Sequence, residues 1–224
     1  MSEKIYLNKM EMVSDLIRTS DNVLDVGFWG HGVTWTSPHW VHKILLQHAR
    51  GVWGLDVVFD KGKLPQPSTF YYQGSAESFS TQNKFDVIFA GDLIEHLSNP
   101  GLFLSRAKEH LKEGGRLILS TPNTFNLFNI AEKVSKGEPT VNKDHTCYFN
   151  SKTITQLLQK NGWEVLQVSY LYSLEPGFEE SWKKKFLNLV YAVLALFTSS
   201  YIETLVIVAG TASVSADDKV VSRI

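Results

Sequence analysis

The chain has 224 residues, 43% of them hydrophobic and 20% charged, which is the make-up of a soluble globular protein with enough length to bury one sizeable core. With 22 Lys and Arg against 23 Asp and Glu, the net charge of -1 offers no electrostatic footprint for nucleic acid. The single cysteine, Cys147, excludes an internal disulfide and a paired-thiol zinc site, and Met1 to Tyr6 lacks the uncharged core of a secretory signal, so a cytoplasmic setting is expected.

In chain order, Ile5, Met12, Val13, Leu16 and Ile17 recur near helical spacing, predicting an amphipathic helix within residues 1–20 that Asp21-Asn22 stops. Val23 to Val26 then reads as a buried parallel strand that breaks into the glycine cluster Gly27, Gly30 and Gly32. Ser37-Pro38 offers a helix N-cap and first-turn proline, with Trp40, Val41, Ile44, Leu45 and His48 following at helical period until Gly51. Val52 to Asp56 is a second strand, so the unit is a right-handed parallel crossover. Pro65 and Pro67 argue for a loop before a third strand at Thr69–Gln73. Phe85–Ala90 is a fourth strand; Asn99-Pro100 opens a helix through Leu111, Glu113-Gly114-Gly115 closes it, and Arg116–Ser120 is a fifth strand.

This alternation predicts an α/β doubly wound, Rossmann-like sheet. Residues 121–149 form a long connection with a helix around Phe128 to Val134, the length of a lid or substrate-binding segment. A helix at Ser151–Lys160 and a strand at Trp163–Tyr170 follow. Phe186 to Phe197 is nearly all apolar yet too short to span a bilayer, so 179–198 is read as an apolar helix packed on the domain or at a homodimer interface. Peripheral membrane contact through 183–197, where Lys183 to Lys185 lie, stays open beside it. A last strand at Glu203–Ala209 completes one domain over 1–210, and 211–224 is a frayed tail.

Ligands of open α/β sheets bind beyond the carboxyl ends of the strands, where strand order reverses. Those ends carry Gly27 to Gly32, Asp56, Ala76-Glu77 and Gly91-Asp92. An acid closing the second strand suits the two hydroxyls of a ribose, although a solvated strand-end acid has the same sequence. The glycine spacing is not the G-x-G-x-x-G of a pyrophosphate cradle, which disfavours an NAD-dependent oxidoreductase and favours a phosphate-free nucleoside.

The succession VLDVG, GLDVV, QGSAESF, FDVIFAGDLIEHLSNPGLFL, LKEGGRLILSTPN and DHTCYFNSKTITQLLQKNGWEV resembles, in order and spacing, the class I S-adenosylmethionine-dependent methyltransferases. The group it looks most similar to is the small-molecule one that includes the ubiquinone-pathway O-methyltransferases. The likeness runs from Val23 to Ala209 and is most specific from Phe85 to Asn123. It implies a seven-stranded sheet, mostly parallel with an antiparallel last strand, and S-adenosylmethionine as cofactor. It also implies roles for individual residues: Asp25 and the backbone at Gly27, Phe28 and Gly30 at the methionine end, Asp56 on the ribose, Val57, Ala76 and Glu77 around the adenine, and Gly91, Asp92 and Leu93 along the sulfonium. Ser75 stands where the family more often has an acid.

One departure is in the first loop, where the family pattern D-x-G-x-G-x-G is interrupted by Phe28-Trp29. Either one residue is inserted and Gly30 and Gly32 keep the close approach, or Trp29 and His31 occupy glycine positions and crowd the cofactor.

Methyl transfer from a sulfonium needs alignment above all, and a base only where the nucleophile arrives protonated. His96 and His145 are the catalytic candidates, each with a structural alternative: fixing a helix start for the first, closing the lid for the second. Glu95 beside His96 supplies only two metal ligands, so no metal is assigned. Trp35, Trp40, Phe125, Phe128, Tyr148 and Phe149 suit core and lid, and the last four also suit the wall of an apolar acceptor site. The expected activity is methylation, by first choice at oxygen, of a small-molecule acceptor, with a non-catalytic S-adenosylmethionine-binding protein as the rival.

Overall fold

The computed structural model describes residues 3–30, 37, 39–172 and 200–212. The expectations for His31, Gly32, Trp35, Pro38, the apolar segment 179–198 and the tail from 213 onward lie outside them. Eight strands form one sheet: β1 (Lys4–Tyr6), β2 (Asn22–Val26), β3 (Gly51–Asp56), β4 (Tyr71–Gln73), β5 (Phe85–Gly91), β6 (Leu111–Pro122), β7 (Trp163–Leu171) and β8 (Thr204–Thr211), ordered β1-β7-β8-β6-β5-β2-β3-β4. β8 runs antiparallel to both β6 and β7, and every other pairing is parallel. The doubly wound sheet with an antiparallel last strand is therefore as expected, with one strand more.

The extra strand corrects the opening helix. Lys4 to Tyr6 pairs with Ser169 to Leu171 at the sheet edge, and helix α1 covers only Lys9–Leu16. The reason is local: the Asn8 side chain accepts from Glu11 N and caps the helix there. Tyr6 is fully buried and its hydroxyl donates to Asp15, a contact that a continuous helix would not make.

Smaller corrections follow the same logic of competing local bonds. Helix α2 starts at Val41, because Ser37 Oγ and Ser37 O are spent on a turn, accepting from His39 N and Trp40 N. Ser68–Phe70 is a 3-10 turn, so the third expected strand shortens to Tyr71–Gln73. Helices α3 (Pro100–His110), α4 (Leu127–Lys136) and α5 (Ser151–Lys160) lie where the periodicity puts them.

Strand alternation sends side chains to two cores. Val87 and Phe89 of β5 join Met12, Leu16, Ile44 and Leu45 of α1 and α2 on one face. Ile88 and Ala90 join Phe103, Leu104, Ile154 and Leu158 of α3 and α5 on the other. The order of strands reverses between β2 and β5, which places a crevice between their carboxyl ends.

A third, smaller cluster decides how the first loop sits. Phe28 is buried against Tyr71, His42 and Phe59, with ring centroids 5.1, 4.9 and 5.3 Å away. It fits because β3 carries glycine beneath it. A Cβ on Gly54 would stand 2.7 Å from Phe28 Cδ1 and 2.8 Å from Tyr71 Cδ1. Gly54→Ala should therefore overpack this cluster and lower stability by about 1–3 kcal/mol in a denaturant titration. A Gly54→Ala/Phe28→Leu double variant should recover part of it; independent, additive losses would show that the two positions are not coupled.

Candidate active site

Four strand ends meet in the crevice. After β2, Gly27 (φ +78°) and Gly30 (φ +56°) adopt left-handed conformations that favour glycine. Gly27 N donates to Leu55 O, and a Cβ at Gly27 would lie 3.1 Å from Leu93 Cδ1, so the loops after β2 and β5 are in contact. Of the two arrangements open for the first loop, Gly30 rather than Trp29 carries the glycine conformation, with no atom of the described residues within 4 Å of where a Cβ would stand. The Trp29 ring instead meets Trp40 edge-on at 6.0 Å, and Trp40 Nε1 donates to Phe28 O at 2.6 Å, pinning the loop to the aromatic cluster.

After β3, the half-buried Asp56 accepts from Trp29 N at 3.0 Å through Oδ2 and from Val58 N at 3.3 Å through Oδ1. Each oxygen keeps a lone pair for a further donor. Val57 and Val58 beside it are about 60% exposed, which leaves apolar surface next to the carboxylate. After β4, Ala76 is buried and Glu77 accepts from Asn99 N at 2.9 Å, tying this turn to the start of α3.

Asp25 differs from its strand-end neighbours. It is 3% exposed, and its Oδ2 lies 3.0 Å from Nδ1 of the fully buried His42, whose Nε2 lies 3.2 Å from the Tyr71 hydroxyl. Burial drives the Asp25 carboxyl above its ordinary range, the His42 contact opposes that, and the Asp56 charge adds to it.

The loop after β5 holds the remaining groups. Asp92 is the one non-glycine residue among those described with positive φ, +48°. It is held there by Asp92 N donating to Ser120 O and Oγ, and by Ser120 Oγ donating to Asp92 Oδ1. Such strain is kept where surrounding bonds over-determine the backbone, as at ligand sites. One turn on, Glu95 is 2% exposed: Oε2 accepts from Thr121 Oγ1 at 3.0 Å, whereas buried Oε1 has no hydrogen-bond partner among the described residues.

The connection from 121 to 149 returns to this point. Its ends are joined where Thr124 N and Oγ1 donate to Phe149 O, and Thr146 N and Cys147 N donate to Glu95 O. His145 thereby reaches His96, ring centroids 4.6 Å apart at 84°, and His96 Nδ1 lies 3.2 Å from Asp144 O. Donor atoms of Glu95, His96 and His145 all lie within 4.8 Å of one another, a grouping that suits either proton transfer or a cation. Burial, followed by the Asp92 charge, pushes Glu95 up to about 7, and burial, followed by His96, lowers His145 from the usual histidine value.

The sequence reading weighed Glu95 only as one of two metal ligands beside His96, without the third that His145 offers, and it missed Thr121, Ser120, His42 and Tyr71 altogether. The adjacency of Glu95 to His96 and of Ser120-Thr121 to a strand end were the available signals. His42 and Tyr71 gave none, since each reads as an ordinary core residue.

A family model described as "Methyltransferase domain" matches residues 5–168. The chain belongs to the class I S-adenosylmethionine-dependent methyltransferases. The chain is 43% identical over 54 residues to a ubiquinone biosynthesis O-methyltransferase of Azorhizobium caulinodans, covering 24% of the chain and 21% of that protein. It is 28% identical over 98 residues to the mitochondrial ubiquinone biosynthesis O-methyltransferase of Schizosaccharomyces pombe, 42% of the chain and 36% of that protein. The chain thus spans between a fifth and two fifths of the length of these curated relatives. In fold it is similar to a SAM-dependent methyltransferase from Archaeoglobus fulgidus, with TM-score 0.55, 13% identity, and 86% of each chain covered. No helix among the described residues is long and apolar enough to cross a membrane.

The residues at the strand ends fit S-adenosylmethionine. Gly30 leaves room for close approach, Gly27 brings the loop against Leu93, an acid with free lone pairs closes β3, and exposed valines follow it.

Proposed function

We propose that this methyltransferase methylates an oxygen of a small-molecule acceptor, with Asp25, Gly27, Phe28 and Gly30 at the methionine end of the cofactor. Asp56 takes the ribose hydroxyls, Val57, Ala76 and Glu77 flank the adenine, and Gly91, Asp92 and Leu93 line the sulfonium. The observation that carries the reading is the Glu95, His96 and His145 cluster, built on the turn directly after Asp92-Leu93 and closed by the far end of the lid.

The bound cofactor supplies an electrophilic methyl group on a positively charged sulfur. The chain's own residues do the rest. The lid, 121–149, holds the acceptor over the Gly91 to Leu93 backbone; Phe125, Phe128 and Tyr148, about half exposed, form its apolar wall. His145, which burial holds below the usual histidine value, takes the proton of the acceptor hydroxyl, so that the oxygen can serve as nucleophile. His96 orients His145 edge-on. Oxygen and a small acceptor are supported by the local likeness to O-methyltransferases.

Titration calorimetry with S-adenosylhomocysteine, followed by transfer of labelled methyl from the cofactor into a cell metabolite extract, tests this reading. Binding and label in an alkali-stable ether are expected. Binding without label in any acceptor pool would favour a silent binder, and absence of binding would remove the cofactor assignment.

A further inference from the structure

Resting on the placement of Asp25 at the methionine end, we infer that His42 is a positioning residue for the amino-acid portion of the cofactor: it holds the Asp25 carboxylate at Oδ2 and is itself held by Tyr71. The three groups form one buried chain. Asp25 is the next-to-last residue of β2, His42 lies in the first turn of α2, and Tyr71 opens β4 in the same row of the sheet, so the chain ties together three elements. Contacts of 3.0 and 3.2 Å link them, and their exposures are 3%, 0% and 8%.

A packing role alone does not account for an imidazole here. Its neighbours Phe28, Trp40 and Tyr71 are aromatic, with centroids 4.9, 5.1 and 5.5 Å from the ring, and a leucine or phenylalanine would pack among them without two polar atoms to satisfy. What an imidazole adds is a rigid donor at Nδ1 and a second contact at Nε2 that fixes the ring plane. A carboxylate removed from water keeps its orientation and charge only when donors face it. With Oδ2 directed to His42, Oδ1 takes the ammonium group of the cofactor. The ring also packs against Phe28 at an interplanar angle of 46°, so the residue that orients Asp25 supports the loop that carries Phe28.

The test compares two ligands that differ only in the amino-acid portion. S-adenosylhomocysteine carries the ammonium group, and 5′-methylthioadenosine lacks it while keeping the ribose and adenine. An asparagine at this position places an amide donor near Nδ1, whereas glutamine places it near Nε2. His42→Asn should bind S-adenosylhomocysteine within about threefold of the unmodified chain, and His42→Gln should bind it about tenfold or more weakly. Both should bind 5′-methylthioadenosine within about threefold of it. Tyr71→Phe, which removes one oxygen, gives a milder version of the same selective loss if the His42 variants fold poorly. In an Asp25→Ala background, His42→Gln should cause no further loss.

Equal loss of both ligands, equal behaviour of the Asn and Gln variants, or full additivity with Asp25→Ala would reduce His42 and Tyr71 to packing and overturn the inference. Failure of the unmodified chain to bind either ligand would instead overturn the cofactor reading beneath it.

Discussion

Replacing Asp56 with alanine should weaken S-adenosylhomocysteine binding by about a hundredfold or more. Two ribose hydroxyls donating to one carboxylate make two charge-assisted bonds, each worth roughly 1.5–3 kcal/mol, and losing both reaches that factor even at the low end. A second loss adds to it in this chain. Trp29 N and Val58 N both depend on the same carboxylate, so alanine also frees the backbone of the first loop and of the turn carrying Val57. Asp56→Asn separates the two effects. It keeps one acceptor oxygen, which serves Trp29 N or a hydroxyl but not the full set, and the expected loss is about tenfold. Calorimetry on the two variants reads both, and binding by the alanine variant within about threefold of the unmodified chain would remove Asp56 from the ribose.

Much of the architecture could be read from the residues because each signal was local. Phe85 to Ala90 is apolar at every position but Asp86 and has a glycine after it, Asn99-Pro100 starts a helix, and Trp163 to Tyr170 alternates; nothing elsewhere in the chain has to be known to place them. β1 was hidden because its three residues have no strand period of their own and are extended only by pairing with β7, more than 160 positions away. The strand-end positions of Asp56 and Gly91-Asp92 followed from the general rule for open α/β sheets.

The support behind those strand ends did not. His42 contacts Asp25 across 17 positions and Tyr71 across 29, and the burial of Phe28 depends on Gly54 leaving space on another strand. Such contacts are set by packing after the sheet has formed, so a single sequence gives them no period or spacing. The altered first loop shows the difference. As a string, Gly27-Phe28-Trp29-Gly30 looks crowded; in three dimensions both aromatic rings turn into the cluster with Trp40 and Tyr71, and Gly30 keeps the open side.

Removing the proposed base should lower turnover far more than binding. His145→Ala is expected to reduce kcat by about 100-fold to 10,000-fold, the usual range for a positioned general base, with S-adenosylhomocysteine affinity within about threefold. Once an acceptor has been found, the pH profile tests the cluster as a unit. Burial and His96 lower His145, so the base is already unprotonated near neutral pH; the group that changes there is Glu95, whose carboxyl ionises at about 7. Ionised Glu95 stabilises the imidazolium that forms as the proton is taken, so kcat should rise with pH through about 7, and Glu95→Gln should flatten that limb. Stability should move in the opposite direction. Below 4.5 Glu95 is protonated in both folded and unfolded chains and costs nothing; as pH climbs towards about 7 the unfolded chain ionises first, and the folded state loses ground. Above about 7 the loss is complete, so Glu95→Gln should be more stable than the unmodified chain by roughly 2–3 kcal/mol at pH 8 and no more stable at pH 4. If Glu95→Gln left both the kcat profile and the pH dependence of unfolding unchanged, Glu95 would have no part in proton transfer.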